Sequence, residues 1–417
     1  MSNERAQPLM AAPNGSSDAP SVMGIVSLVR ESSLSLLLPL VPLSVILDAY
    51  GFADGVVFGV ACLALLPLAG LLGELTDQVA KHTSDTLGGF LNATFGNATE
   101  LIVSYFALAR GLLNVVQSSL LGSILSNLLF VLGCSMIAAG VRAGPGRQTR
   151  HNLLNAQCNT ELLQVAVLGF AVPSMMLSNR GAEEGEREAD LALSRVVAAA
   201  LLLLYVLYII FQLFTHPELF ESGPVAAATP RRRSVQDIKH RSPQPKPPPM
   251  PPPEEDEDDK APVLPLSGAV FWLAVCTVAI AVVSELLTGA IEGAAAELEL
   301  PTAFVGFVIL PIVGNAAEHS TAIVMAYRQK MDVAFGVALG SSTQIALFAI
   351  PLMVLVAIPV GQPLLLSFGT FGTVVVFLAA RIVSQICEDG ETNWLEGAML
   401  IVAYFVICSA YFFMPEE

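Results

Sequence analysis

Five residues of this chain, Gly96-Asn97-Ala98-Thr99-Glu100, return almost unchanged as Gly314-Asn315-Ala316-Ala317-Glu318, each time inside a strongly apolar stretch. The correspondence runs on without a gap: residues 96–130 lie over residues 314–348 with roughly a third of positions identical. Arg110 falls on Arg328, Gly122 on Gly340 and Ser123 on Ser341. Few architectures are open to a chain built twice. In apolar surroundings the leading one is a secondary transporter, in which the site lies near the midplane where the two copies meet.

Composition supports a membrane setting. Charged residues make up 13% of the 417 and apolar residues 54%, against about a quarter charged in soluble domains. Apolar runs of about 20 residues, each long enough to cross roughly 30 Å of hydrocarbon as a helix, fall near residues 33–51, 54–76, 87–109, 113–140, 152–177, 191–215, 266–290, 302–326, 331–358, 364–387 and 394–414. The expected fold is therefore an all-α polytopic membrane protein of about eleven transmembrane helices. One leading helix is followed by two repeats of five, and an odd number per repeat inverts the second copy relative to the first.

The expected organisation is a disordered cytosolic tail over 1–32, a leading helix over 33–53, the first repeat over 54–215, a linker over 216–264 and the second repeat over 265–417. The linker is rich in proline and carries six consecutive acids, Glu254 to Asp259, a composition that cannot bury a core. The net charge of −16 gathers there and in the loop 183–190, outside the apolar body. A chain of this kind has the bilayer, and no nucleic acid, as its large partner. Its six cysteines stand singly in or beside apolar runs, as packing residues do. With the amino terminus cytosolic, Lys81, the Arg142/Arg147/Arg150 group, Arg231-Arg232-Arg233 and the Arg328/Lys330 turn fall on one side, as the positive-inside bias requires.

Depth singles out the site. Arg110 and Gly111 end a span, so Glu100 lies about ten residues, or roughly 15 Å, below that surface. The chain then turns back and Ser123 returns to a similar level; Glu318 and Ser341 repeat the spacing around the turn at Arg328. Asn97-x-x-Glu100 and Asn315-x-x-Glu318 also have the form of a helix-capping arrangement. A mid-bilayer carboxylate costs several kcal/mol unless neutral, paired or hydrated, and here that cost arises twice in equivalent positions. The glycines and asparagines beside each glutamate weaken a regular helix and can expose carbonyls to a cavity. Candidate cation-binding residues are thus Glu100, Glu318, Asn97, Asn315, Gly96, Gly314, Ser123, Ser341 and Gln344, with the two glutamates as the metal-holding pair. Asp77, Glu285, Glu292 and His319 are candidates for a proton path.

These residues resemble a known family. The repeated G-N-A-[TA]-E, the L-L-G-S-I-L-S-N-L-L-F-V-L-G-C run at 120–134, G-S-S-T-Q at 340–344 and N-W-L-E-G at 393–397 are similar to the CAX-type cation/proton exchangers of the Ca²⁺/cation antiporter superfamily. The likeness covers residues 50 to 414 apart from most of the linker. It implies a leading helix, two inverted five-helix repeats and an acidic linker between them. It also implies export of Ca²⁺ from the cytosol into an acidic store such as a vacuole in exchange for protons, with Mn²⁺ as a further cargo and no cofactor. By the same resemblance Glu100 and Glu318 match paired cation-binding carboxylates, Ser123, Ser341 and Gln344 match supporting polar positions, and Asp77 matches an acid near the second span. Gly70 and the stretch Leu364 to Gly369 depart from the pattern, where relatives often carry acids. A sodium-coupled exchanger and a cation channel are the competing readings. An intramembrane enzyme finds no metal-binding histidine pair or nucleophile dyad in the sequence.

Overall fold

The computed structural model describes residues 22–178, 184–217, 220 and 261–414. Helices dominate, because in hydrocarbon a helix satisfies its backbone polar groups within itself. After α1 (Val22–Glu31) and α2 (Leu40–Ala49) comes the long α3 (Asp54–Ala80). A broken pair follows, α4 (Asp85–Phe95) and α5 (Ala98–Ala109). Next, α6 (Leu113–Leu125) continues through a π-helical turn at Ser126–Val131 into α7 (Leu132–Ala143). Strand β1 (Thr149–Arg150), α8 (Leu153–Ser178) and α9 (Glu184–Ile210) complete the first half.

The second half repeats this order. It opens with the long α10 (Leu266–Glu297), then the short α11 (Thr302–Phe304), a π-helical turn at Val305–Ile309, α12 (Leu310–Gly314) and α13 (Ala316–Tyr327). Helix α14 (Met331–Gln344) passes through a π-helical turn at Ile345–Ala349 into α15 (Ile350–Val360). Helix α16 (Gly369–Ile386), β2 (Glu391–Thr392) and α17 (Trp394–Phe413) end it. A fourth π-helical turn, Phe211–Thr215, follows α9; π turns often mark functional sites, and two of these four fall at matching places, just beyond Ser123 and Ser341. The turns after α5 and α13 match as well: Gly111 (φ 77°) and Gln329 (φ 66°) both take left-handed backbone. At the second, a residue with a Cβ bears that strain, while its side chain donates to the Ala139 carbonyl at 2.9 Å.

Among the described residues, helices α3 and α10 make the most extensive helix pair. At one end the Asp54 carboxylate lies over Gly293, where a methyl group would collide with it. There Glu297 Oε2 accepts from the Gly55 N–H at 2.9 Å, placing an anion at the N-terminus of α3, where the helix dipole favours it. At the far end, loops are tied by β1 pairing antiparallel with β2, Thr149 opposite Thr392 and Arg150 opposite Glu391. An ion pair of 2.9 Å joins Arg150 to Glu391.

Among the described residues seven helices are long and apolar enough to cross a membrane, or nine when two bent pairs count as single spans. The eleven expected from sequence include two further segments. Residues 87–109 are split into α4 and α5 at Gly96, and α8, although 26 residues long, carries Asn155, Gln157, Asn159, Glu161 and Gln164. Residues 22–31, expected within a disordered tail, form helix α1, because Ile25 and Leu28 are buried and Gly24 lets Leu264 settle on it. The end of the expected linker is also fixed: Gln78 Oε1 accepts from the N–H groups of Val263 (2.8 Å) and Leu264 (3.3 Å). The rest of the tail (1–21), most of the linker (218–219 and 221–260) and residues 179–183, where the acidic loop begins, lie outside the described residues.

Candidate cation site

Each half of the molecule contributes one helix break and one hairpin helix. Asn97 and Asn315 occupy the breaks with nearly the same backbone (φ −102°, ψ 16° and φ −101°, ψ 9°), and neither side chain caps its helix. The capping alternative is therefore not what their amides do. Instead, Asn97 Nδ2 donates to Gln344 Oε1 at 2.6 Å. Asn315 Nδ2 donates to Ser123 Oγ at 3.3 Å and to the Pro311 carbonyl at 3.1 Å. The break of one repeat is thus hydrogen-bonded to the hairpin helix of the other. Buried polar groups are expected to find such partners, and here the partners lie more than 190 residues away.

The two glutamates follow the same crossing. A methyl group on Gly96 would lie 3.5 Å from Glu318 Oε1, and one on Gly314 would lie 3.9 Å from Glu100 Oε1. Each carboxylate therefore lies within van der Waals reach of the glycine at the break of the opposite copy. Glu100 is buried at 8% exposure, whereas Glu318 is half-buried and Gly96 exposed.

Five buried side-chain oxygens here have no hydrogen-bond partner among the described residues: Asn97 Oδ1, both oxygens of Glu100, Asn127 Oδ1 and Glu318 Oε2. An unpaired buried acceptor costs about 1–3 kcal/mol, more when charged. A set of acceptors without donors suits a cation. A hard divalent ion takes six to eight oxygens in a flexible cage. Among the described residues no group of three or more His, Cys, Asp or Glu gathers in one place, so a cation here would rely on two carboxylates and neutral oxygens. Beside Glu100 a cavity of about 20 Å³ is lined by Thr99, Ser104, Ser119, Ser123, Pro311 and Gly314, among others, room for about one water.

The remaining predicted residues are less closely gathered. Ser341 joins the site through Asn127, whose Nδ2 donates to its Oγ at 3.1 Å. Asn127 was not among the candidate ligands, because a polar residue at that place can serve simply to bond between helices. Its place one helical turn beyond Ser123 was the available signal. Asp77 accepts from Asn92 Nδ2 at 3.2 Å, linking α3 to α4. His319 is buried and meets the ring of Phe130 edge-on at 6.4 Å. Glu285 and Glu292 are exposed on α10, on either side of Gly289, which the Arg110 guanidinium approaches as it donates to the Glu285 carbonyl at 3.2 Å. The structure does not bring them to the breaks.

Known proteins resemble this chain in sequence and fold. The family model described as sodium/calcium exchanger protein matches residues 54–214 and 268–413. Vacuolar cation/proton exchanger 3 of Oryza sativa subsp. japonica is 39% identical over 384 residues, 92% of this chain and 86% of the relative. A Ca²⁺/H⁺ antiporter of Synechocystis sp. is 39% identical over 380 residues, 91% of this chain and 96% of the relative. The structure of native YfkE superposes with a TM-score of 0.71 at 31% identity, covering 91% of this chain and 100% of that one.

Proposed function

The chain belongs to the sodium/calcium exchanger protein family, and from that premise we propose that it is a Ca²⁺/H⁺ antiporter. It moves Ca²⁺ from the cytosol into an acidic organelle such as a vacuole. The observation that carries this reading is the pair of carboxylates set against each other's helix breaks, amid acceptor oxygens that lack donors. The ligand set would comprise Glu100, Glu318, Asn97, Asn315, Ser123, Ser341 and Gln344, with carbonyls at Gly96 and Gly314; Asn127 is added to it. Mn²⁺, which favours the same oxygen donors, is a second cargo.

Eleven spans follow if the α4–α5 pair and α8 also cross, giving a leading helix and two inverted five-helix repeats, with the amino terminus and the linker cytosolic. Coupling follows from exclusion. Two nearby carboxylates repel when bare, which raises their joint affinity for protons, so the site holds either Ca²⁺ or protons and is seldom empty and doubly charged. Rocking of the repeats alternates access. The half-buried Glu318 and exposed Gly96 lie toward α4, which starts beside Lys81, so the present conformation is open on the cytosolic side. Asp77, tied to α4, is placed where protons would leave.

Magnitudes favour more than one proton per ion. A thousandfold rise in Ca²⁺ needs on the order of 4 kcal/mol before voltage, while two pH units return about 2.7 kcal/mol per proton. Uptake of ⁴⁵Ca²⁺ into vesicles of the purified protein with an acid interior tests the reading. Uptake should collapse with a protonophore. Uptake that follows a Na⁺ gradient instead would select the sodium-coupled alternative, and flux indifferent to any counter-gradient would select a channel.

A further inference from the structure

The two copies are packed differently around two glycines that they share, Gly88/Gly306 and Gly122/Gly340. In the second copy the segment α11–α12 packs along α6: a methyl group on Gly122 would overlap the Phe307 carbonyl, and one on Gly306 would overlap Ser118 Oγ. Gly122, Gly306, Phe307, Ser118 and Val115 are all buried. The same register places Gly88 on Gly306, Gly89 on Phe307, Gly336 on Ser118, Gly340 on Gly122 and Val333 on Val115. The mirror seam would bring α4 against α14. It is open: methyl groups on Gly336 or Gly340 would meet nothing within 4 Å, while Gly88 and Gly89 face Ala80 and Leu213. Val333, unlike buried Val115, is half-buried.

We propose that the Gly336–Gly340 face of α14 is the seat onto which α4 docks through Gly88 and Gly89 when the site closes toward the cytosol. This rests on the alternating-access reading above and names the residues that would perform it. Glycines are required on both sides because the occupied seam leaves no room for a Cβ opposite the Phe307 carbonyl. Gly340 is therefore without steric duty in the open conformation and indispensable in the closed one. Gly336, whose counterpart is a serine, has more room.

The occupied seam supplies its own ruler. A Cβ on Gly306 would stand 3.3 Å from that of Ser118, close to the Cβ separation of about 3.5–4.5 Å in disulfides. In a cysteine-free chain, Gly306→Cys with Ser118→Cys should bridge under mild oxidant in the present conformation. Gly88→Cys with Gly336→Cys should bridge only as the protein turns over, at least tenfold faster when Ca²⁺ and an opposing gradient are supplied. Either bridge should cut ⁴⁵Ca²⁺ uptake at least tenfold, reversibly with dithiothreitol. Independently, Gly340→Val should cut uptake at least tenfold while ⁴⁵Ca²⁺ binding to the solubilised protein stays within threefold of the parent, and Gly336→Ser should retain uptake. A Gly88/Gly336 pair that stays reduced in vesicles whose parent protein exchanges Ca²⁺ would overturn the proposal, as would normal uptake by Gly340→Val. Because bridging follows movement of α4 whichever ion drives it, parent uptake that follows Na⁺ would change the coupling ion and leave the seam standing.

Discussion

Glu100→Gln keeps the shape of the site and removes one of its two carboxylates. Glu100 is buried on α5, with both oxygens partnerless among the described residues, and Glu318 is its counterpart on α13. His319, next along the chain, turns to Phe130, and Glu285 and Glu292 are exposed on another helix. On the exclusion proposed above, Ca²⁺ needs both carboxylates ionised and displaces up to two protons in acid. Its dissociation constant should then fall by about two decades per pH unit, or about 2.7 kcal/mol. The sign is fixed: binding strengthens as pH rises and levels off once both groups are ionised in the free site. Glutamine at either position should halve the slope, and glutamine at both should abolish it, with affinity lower throughout. Equilibrium ⁴⁵Ca²⁺ binding to the solubilised protein between about pH 5 and about pH 9 reads these slopes directly. A single variant with the parent's slope would refute the idea that these two carboxylates carry the exchanged protons.

Gln344→Ala takes away the acceptor 2.6 Å from Asn97 Nδ2 and leaves a buried amide unpaired, at about 1–3 kcal/mol; Ca²⁺ binding should weaken roughly tenfold or more in the same assay. Gly122→Ala drives a methyl group into the Phe307 carbonyl, an overpacking of about 1–3 kcal/mol, and should lower the melting temperature, whereas Gly340→Ala should melt with the parent. His151, outside the spans, is 7% exposed and stacked on Phe335 at 4.0 Å; burial holds its pKa below the ordinary value despite Asp332 and Asp389 nearby. Stability should therefore be full above the ordinary histidine value and be lost as pH falls through the depressed one, and His151→Phe should flatten that acid limb of a thermal-melt series. Phe307→Ala should lessen the closure of α11–α12, so that a cysteine at Val333 becomes less reactive toward an impermeant maleimide from the cytosolic side; unchanged reactivity would count against a role for Phe307 in holding that seam shut.

The repeat was legible because its identities fall on residues that cannot be exchanged freely: glycine and asparagine at each break, glutamate one turn on. The crossing of partners was not. By strict symmetry Asn97 and Asn315 would reach matching side chains, yet one finds Gln344 and the other Ser123, residues from different positions of their copies. Asn127 was left out because an amide in an apolar helix often does no more than bond between helices, and its bond to Ser341 is a long-range contact. Helix α1 escaped because it is only ten residues long and becomes ordered through long-range contacts: Leu264 rests on Gly24 while Gln78 and His82 hold the Leu264 backbone. Glu285 and Glu292 were proton-path candidates through their places on either side of Gly289; both are exposed on α10, toward the end where Glu297 meets the start of α3, and a proton path through them stands as a proposal.

Symmetry in sequence also conceals which side of the molecule is shut. A site open to both sides at once would dissipate the gradient that drives it, so two copies with the same letters must at any instant be packed differently. Gly122 and Gly340 are identical residues, one enclosed and one bare. The letters around them decide the balance. Phe307 is fully buried in the closed seam and stacks on Tyr411 at 3.9 Å, whereas its counterpart in α4 is Gly89, with no side chain to bury. Burial of a phenylalanine side chain is worth about 1.5–3 kcal/mol, roughly a tenfold to hundredfold preference for keeping α11–α12 shut when α4 has nothing equivalent to offer. On the proposed orientation that preference rests the empty protein open toward the cytosol. This is the side on which a transporter that fills a store has to find its ion at low concentration.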